Sequence, residues 1–221
     1  MTSAEMLARF KLLAKRPATD ESWSDANIYL LLEEAQRQIN QELAVHVPHV
    51  NVVAPELLTS SDSGLTYVTG SDVVGALEVY PDRNATIPLQ PGPYMDDGAE
   101  YVFEAPRTIR MIGRAARTFS GGPYARYVPA TGTLNASTAP TIEPAAVHIC
   151  VVYRALQEYA SAGGGLHNPS IWMEREQRVL WGDPNQPGSV GVIPGLKSQV
   201  TVRGRGGNGS PWWTRFRAPV T

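Results

Sequence analysis

Apolar residues recur at helical spacing through the first fifty positions. Thr2-Ser3-Ala4-Glu5 fits a capping box, in which the Thr2 and Glu5 side chains satisfy amides that a helix start leaves without partners. The pattern predicts a helix to about Arg16, stopped by Pro17, because proline bars the residue before it from helical conformation. A second start lies at Ser22 or Ser24, with acids in the first turn to suit the positive end of the helix dipole. Ile28, Leu31, Leu32, Ala35, Ile39 and Leu43 then form one apolar stripe on a helix to about Ala44, and Pro48 ends it.

The period changes over residues 50–140. Short β-prone runs alternate with turn signals: TYV, VVGALEVY, EYVF, RTIRMI, then ARTFS and PYARYV on either side of Gly121-Gly122. Glycine takes positive φ without steric cost, so the last two runs are predicted to pair as a hairpin. Asp97-Gly98 is a second predicted turn. Prolines scattered from Pro81 to Pro129 predict short strands and irregular edges. Helices return at Pro144, since proline is favoured at a first helical position. Val147, Val151, Leu156 and Tyr159 mark one side of a helix that ends at Gly163-Gly164-Gly165. Asn168-Pro169 opens a last helix to Trp181, with Ile171, Trp172, Val179 and Leu180 as apolar positions, Glu174 and Arg178 as a surface pair, and Gly182 as its end.

These elements predict a mainly α protein of the α+β class. Two N-terminal and two later helices would make a four-helix core, with a β-rich insertion at about 50–140. Residues 1–181 form one helical domain in this reading, and 182–221 a long extended C-terminal arm. Charge and composition support the division. Residues 182–221 hold one acid, Asp183, against Lys197, Arg203, Arg205, Arg215 and Arg217, so this stretch is +4 and the rest is −6. Eight glycines and five prolines in the same stretch argue against a packed core there.

The whole chain of 221 residues carries a formal charge of −2, which is not that of a strongly basic nucleic-acid binder. No apolar run is long enough to span a bilayer. The opening MTSAEMLARFKLLAKR interrupts its apolar positions with charge and lacks a small-residue cleavage site, so no secretory signal is expected. Cys150 stands alone, which excludes an intrachain disulfide and a cysteine-based zinc site. A soluble protein made and kept in a cytoplasm is the expectation.

Catalytic chemistry finds little footing. His46 and His49 flank Val47-Pro48 just past a helix end, with no further ligand at metal spacing; a cation complementing the helix dipole is the simpler account. Cys150, between Ile149 and Val151, reads as a structural buried thiol. Glu33-Glu34 reads as a solvated helix face and Asp96-Asp97 as a turn. Neither a nucleophile elbow nor a phosphate-binding loop is present, so no catalytic residue, metal or cofactor is expected.

Two clusters point to binding instead. Arg107, Arg110, Arg114 and Arg117 have no acid among them, and suit an exposed or intersubunit face or a surface facing DNA phosphates. Arg203-Gly-Arg205-Gly-Gly-Asn-Gly is a short RGG-like segment. Beyond it, Trp212, Trp213 and Phe216 with Arg215 and Arg217 sit on a glycine-rich tether, and these residue types dominate interface hot spots.

Asp20-Glu21-Ser22-Trp23-Ser24-Asp25, leading into Ile28-Tyr29-Leu30-Leu31-Leu32-Glu33-Glu34-Ala35-Gln36, resembles the start of the second helix in head–tail adaptor (connector) proteins of tailed double-stranded-DNA bacteriophages. The order of elements over residues 1–181 is similar too, and the sequence pattern is shared over 20–45 and 144–182. The resemblance implies a non-enzymatic virion protein at the capsid–tail junction, synthesised in the host cytoplasm. It implies a homo-oligomeric ring, typically of twelve copies, under the portal vertex. Such a ring continues the DNA channel, touches DNA only as passing genome, and offers a platform to a distal tail, nozzle or stopper protein, with no membrane involved. C-terminal extensions in this family reach the portal protein, which would make Lys197, Arg203, Arg205, Trp212, Trp213, Arg215, Phe216 and Arg217 a portal-binding arm. The alternative is a nucleic-acid-binding protein using the RGG-like tail and the arginine cluster.

Overall fold

The computed structural model describes residues 1–15, 23–61, 65–92, 98–104, 106–112, 119, 121–162 and 168–203, with the backbone alone at 76 and 199–203. The chain divides into two compact units. Among the described residues, one joins Met1–Val50 to 131–203 and the other is Asn51–Ala130. No helix among the described residues is long and apolar enough to cross a membrane.

The first unit is helical. Helix α1 (Ser3–Ala14) begins at the predicted capping box: the Glu5 amide donates to Thr2 Oγ1 at 3.2 Å and the Thr2 amide to Glu5 Oε2 at 2.7 Å. It ends at Lys15 in the left-handed region, short of Pro17, which lies outside the described residues. Helix α2 (Asp25–His46) is capped by Ser24, whose hydroxyl accepts from the Asn27 amide at 3.3 Å. Its stripe is buried as spaced, from Ile28 through Leu32, Ala35 and Ile39 to Leu43, with Leu31 half-buried. Helix α3 (His148–Ser161) starts four residues after Pro144, because a 3-10 turn over Ala145–Val147 comes first. Helix α4 (Pro169–Trp181) has the predicted Asn168 cap and ends at Gly182 with φ 97°.

Helix α3 is the centre of this unit and packs against α1, α2 and α4. Phe10 and Trp23 meet Tyr159 edge-on at 5.5 and 4.9 Å, and Tyr153 stacks with Trp172 at 6.1 Å. Each fully buried large side chain here contributes about 1.5–3 kcal/mol. Residues 131–142 also belong to this unit, strapped across α2. Gln36, fully buried, donates to the Gly132 carbonyl at 3.3 Å and accepts from the Thr141 amide at 3.2 Å. Glu33 accepts from the Leu134 amide at 3.3 Å, so this carboxylate is part of the strap and not simply a solvated face.

Two boundaries differ from the sequence reading. The insertion is narrower, ending at Ala130, because Leu134 and Ile142 are buried in the helical core. Within the stretch read as an extended arm, Val192–Arg203 is a fifth helix, α5. Composition misled there: Pro194 falls in the first turn, where its missing amide has no helical partner anyway, and Ile193 reaches the core.

The second unit is antiparallel β. One sheet has the order β1 (Glu56–Leu57), β7 (Tyr124–Pro129), β4 (Val73–Tyr80). The other has the order β2 (Thr59–Ser60), β3 (Thr66–Val68), β6 (Thr108–Met111), β5 (Tyr101–Glu104). The sheets join twice. β1 and β2 are one strand bent at Leu58, serving both sheets, and the Leu58 amide donates to the Pro123 carbonyl at 2.9 Å. On the other side, residues 89–92 bond to β4 through the Leu89 amide and Val79 carbonyl, then to Tyr101 of β5 through Gln90 and Gly92. The ladders therefore run nearly full circle, leaving little open strand edge. Leu58, Tyr67, Leu77, Val79, Tyr101, Ile109, Met111 and Tyr127 fill the one core.

Gly121 and Gly122 take φ of 85° and 79° as expected for a turn. The first arm of the predicted hairpin, ARTFS, lies outside the described residues except for Phe119, while β7 has β1 on one side and β4 on the other. Both edges of PYARYV are already used. The other predicted turn begins at Asp97, which lies outside the described residues.

Candidate functional site

Four helices meet around Trp181, at the base of the segment that carries the C-terminal arginines and aromatics. The indole N–H donates to Glu42 Oε1 at 3.3 Å. Glu42 Oε2 accepts from Arg154 at 2.8 Å. The Arg154 guanidinium is shared between Glu42 and Glu176, donating to Glu176 through both Nε and Nη2. Gln157 adds a bond to Glu176 at 2.6 Å. His46 stands edge-on to the indole at 4.8 Å, and the Lys197 ammonium lies over its face at 5.5 Å. Thus α2, α3, α4 and α5 all contribute.

The electrostatics follow from burial. The Glu176 side chain is 2% exposed, and burial raises its carboxyl above the usual range against the pull of Arg154. Burial works against the charge on Arg154, but its bonds to Glu176 and Glu42 outweigh that and hold it protonated. Breaking such a buried pair from one side costs about 3–5 kcal/mol. Burial and the Lys197 ammonium lower the pKa of His46, against the pull of Glu42. Both influences disfavour the charged form of the ring that packs on Trp181, against the dipole-complementing cation its position suggested. Burial lowers His49 likewise.

The loop before α5 is built for close approach. A Cβ on Gly191 would fall 2.3 Å from the Gly182 amide nitrogen, and one on Gly182 would fall 2.7 Å from the Ser189 carbonyl. The Asp183 amide donates to Ser189 Oγ at 2.8 Å, which closes the loop. The glycines counted as signs of an unstructured tail here let two backbones touch.

Of the arm residues named from sequence, Lys197 lies on α5 over Trp181, and Arg203 is the last residue of α5. Arg205, Trp212, Trp213, Arg215, Phe216 and Arg217 lie outside the described residues, as do Arg114, Arg117 and the Asp96-Asp97 pair. Arg107 sits in the turn before β6. Arg110, on β6, pairs with Glu104 across the β5–β6 hairpin at 3.2 Å, so the cluster has an acid against it that sequence adjacency did not reveal. Arg178 bridges Glu174 at 4.0 Å, the predicted pair, and Asp183 at 3.6 Å.

Cys150 is buried beneath this cluster, and burial pushes its thiol up to about 12. Among the described residues, no group of three or more His, Cys, Asp or Glu side chains could hold a metal ion. The Arg154–Glu176 pair was not anticipated. Its signal was an arginine inside the apolar run ICVVYRALQEYA, a position that burial permits only with a partner. Neither a protein-family model nor a curated protein matches the sequence.

Proposed function

We propose that this chain is a structural head–tail adaptor of a tailed double-stranded-DNA phage, assembling as a ring at the capsid–tail junction. The observation that carries the reading is the architecture: two helices, an inserted β unit, then helices that close back on the first two. A C-terminal segment follows the Trp181 cluster. The cluster gives that segment a fixed root on α5, which suits an arm that must find a second protein. Ordering such an arm on binding is costly, so it needs anchors of the Trp212, Trp213 and Phe216 kind, and several copies on a ring would add avidity.

Exposed apolar residues on the helices agree with subunit contacts. Leu30 and Val45 on α2 are 64% and 74% exposed, and Met173 on α4 is 51% exposed. In this reading the partners are further copies of the chain, the portal protein and a distal tail component. The DNA-binding alternative is weaker, since Arg110 already faces Glu104.

The test is the mass of the purified protein by light scattering, alone and with portal protein. A closed ring, or assembly on portal, is expected. Removing residues 204–221 leaves α5 intact and should abolish portal binding while the helices stay folded. A monomer that ignores portal would overturn the proposal.

A further inference from the structure

The outer face of the β1–β7–β4 sheet carries apolar and aromatic side chains that the core does not use. Leu57 on β1 stands opposite Tyr124 on β7, and Tyr124 stands opposite Tyr80 on β4. Directly opposed side chains share a face. The adjacent pair, Val79 and Ala125, belongs to the core, so this row points away from it. Leu57 is 53% exposed. Beside the two tyrosines, Pro55 and the turn after β4 complete an open depression of about 270 Å³. That is below about 300–1,000 Å³, the usual size of a small-molecule site, so it suits a side chain of another polypeptide.

The turn after β4 supplies a knob next to this hole. Asp82 Oδ1 accepts from the Asn84 amide at 2.7 Å, which fixes the turn. Just past it, Ile87 is 75% exposed, more than any other large apolar side chain among the described residues, and Pro88 holds its backbone extended. Thr86 and Tyr124 line the depression, so Ile87 and Leu57 both lie at its border. Together they make one stretch of exposed apolar surface, which marks a contact site.

Charge narrows the partner. Glu78 and Asp82 balance Arg83 and Arg126, so the face as a whole is neutral and suits neither nucleic acid nor a run of acids. At its rim Asp82 and Arg83 are adjacent and exposed, and Arg83 has no carboxylate partner among the described residues. A matching surface must present both signs side by side, with an apolar knob next to them. A second copy of the same face does so across a two-fold axis, where each residue meets its complement in the other copy.

We infer that the outer face of the β1–β7–β4 sheet is a two-fold contact between copies of this chain, with Ile87 of each copy seated in the Tyr80–Tyr124 depression of the other and Arg83 paired with Asp82 across the axis. A patch of a few side chains falls short of the about 20–30 residues a side of a standard interface, so the contact is transient and depends on concentration. An isologous contact closes on itself: it doubles whatever the chain otherwise forms and extends no further. The inference stands on the β unit alone and does not depend on the adaptor proposal. A monomer would become a dimer, and a ring would become two rings face to face.

The test is sedimentation velocity of the full-length protein over a concentration series from about 1 μM to about 1 mM. A doubling in mass of the smallest species is expected as concentration rises. Ile87→Asp removes the knob, and Arg83→Glu sets like charges against each other across the axis. Each should weaken the doubling about tenfold or more. Arg83→Lys keeps the charge and should keep the doubling. Both side chains are exposed, so all three variants should unfold in urea at the parent midpoint, which separates lost contact from lost fold. A parent protein that never doubles, doubling that survives Ile87→Asp and Arg83→Glu, or growth in mass beyond a doubling would each overturn the inference.

Discussion

The two units solve the same problem, burying polar groups in a small core, by different means. The helical unit places a full ion-pair cluster, Glu42–Arg154–Glu176, where three helices meet. The β unit uses two carboxylate–phenol pairs, buried Glu78 accepting from the Tyr80 hydroxyl at 2.8 Å and half-buried Glu56 accepting from Tyr127. Glu56 accepts from the Tyr127 hydroxyl at 2.7 Å and from the Gly70 amide at 2.8 Å, and Tyr127 in turn accepts from the Ser71 amide at 3.1 Å. Helices satisfy their own backbones, so their polar side chains are free to tie helix to helix. Strands satisfy theirs on neighbours, so a loop such as 69–71 needs a side chain to hold it.

The largest break in that comparison should come from Arg154→Met. It strands two carboxylates, and a loss of about 3–5 kcal/mol is expected. All five tryptophans lie outside residues 51–130, so urea unfolding followed by tryptophan fluorescence reports on the helical unit, while tyrosine follows both. Adding Glu176→Leu to Arg154→Met should restore much of the loss, because an apolar pair replaces an ionic one. If the double variant is no better than the single, the cluster is held by more than charge.

In the β unit, Glu56→Gln keeps the shape and removes the charge. The weaker acceptor should cost about 1–3 kcal/mol, and the loss should leave the tryptophan-detected transition in place. A shift of the tryptophan transition by the same amount would show that the units unfold together.

A pH effect should be smaller. His46 and His49 both lie below the ordinary 6.5 when folded, so the unfolded chain takes up protons first as pH falls. Their contribution is full above about 6.5 and is lost as pH drops through the folded values. Glu176, raised by burial, acts in the opposite sense. The urea midpoint should therefore depend less steeply on pH between 7.5 and 5.5 in His46→Gln/His49→Gln than in the parent protein; an unchanged slope would remove the histidines from the account. The smallest effect belongs to Arg110→Ala. Its bridge to Glu104 is half exposed on both sides, and less than about 1 kcal/mol should be lost in urea unfolding.

Legibility followed the range of the interaction. The caps at Thr2, Ser24 and Asn168 and the stripe from Ile28 to Leu43 depend on residues three or four apart, and they formed where the spacing put them. Strand runs such as TYV and VVGALEVY were visible as local propensity. Their pairing was not, since β7 finds β1 nearly seventy residues away and β4 about fifty away. The Trp181 cluster was hidden for the same reason: Glu42 and Arg154 are 112 residues apart. Helix α5 was missed because glycine counts cannot tell a loose chain from backbones in close contact, which is the role of Gly182 and Gly191.

Building the helical unit from both ends of the chain has a consequence for synthesis on the ribosome. By the time Ala130 has emerged, every strand of the β unit is available and its ladders can close. Helices α1 and α2 by then have been out longer, yet their partner α3 begins only at His148 and Ile193 comes later still. The order of completion is thus the reverse of the order of appearance. The first fifty residues must wait as an amphipathic pair without a core, and a nascent chain arrested once Ala130 has left the ribosome but His148 has not should protect its middle from protease while leaving its beginning open to cleavage.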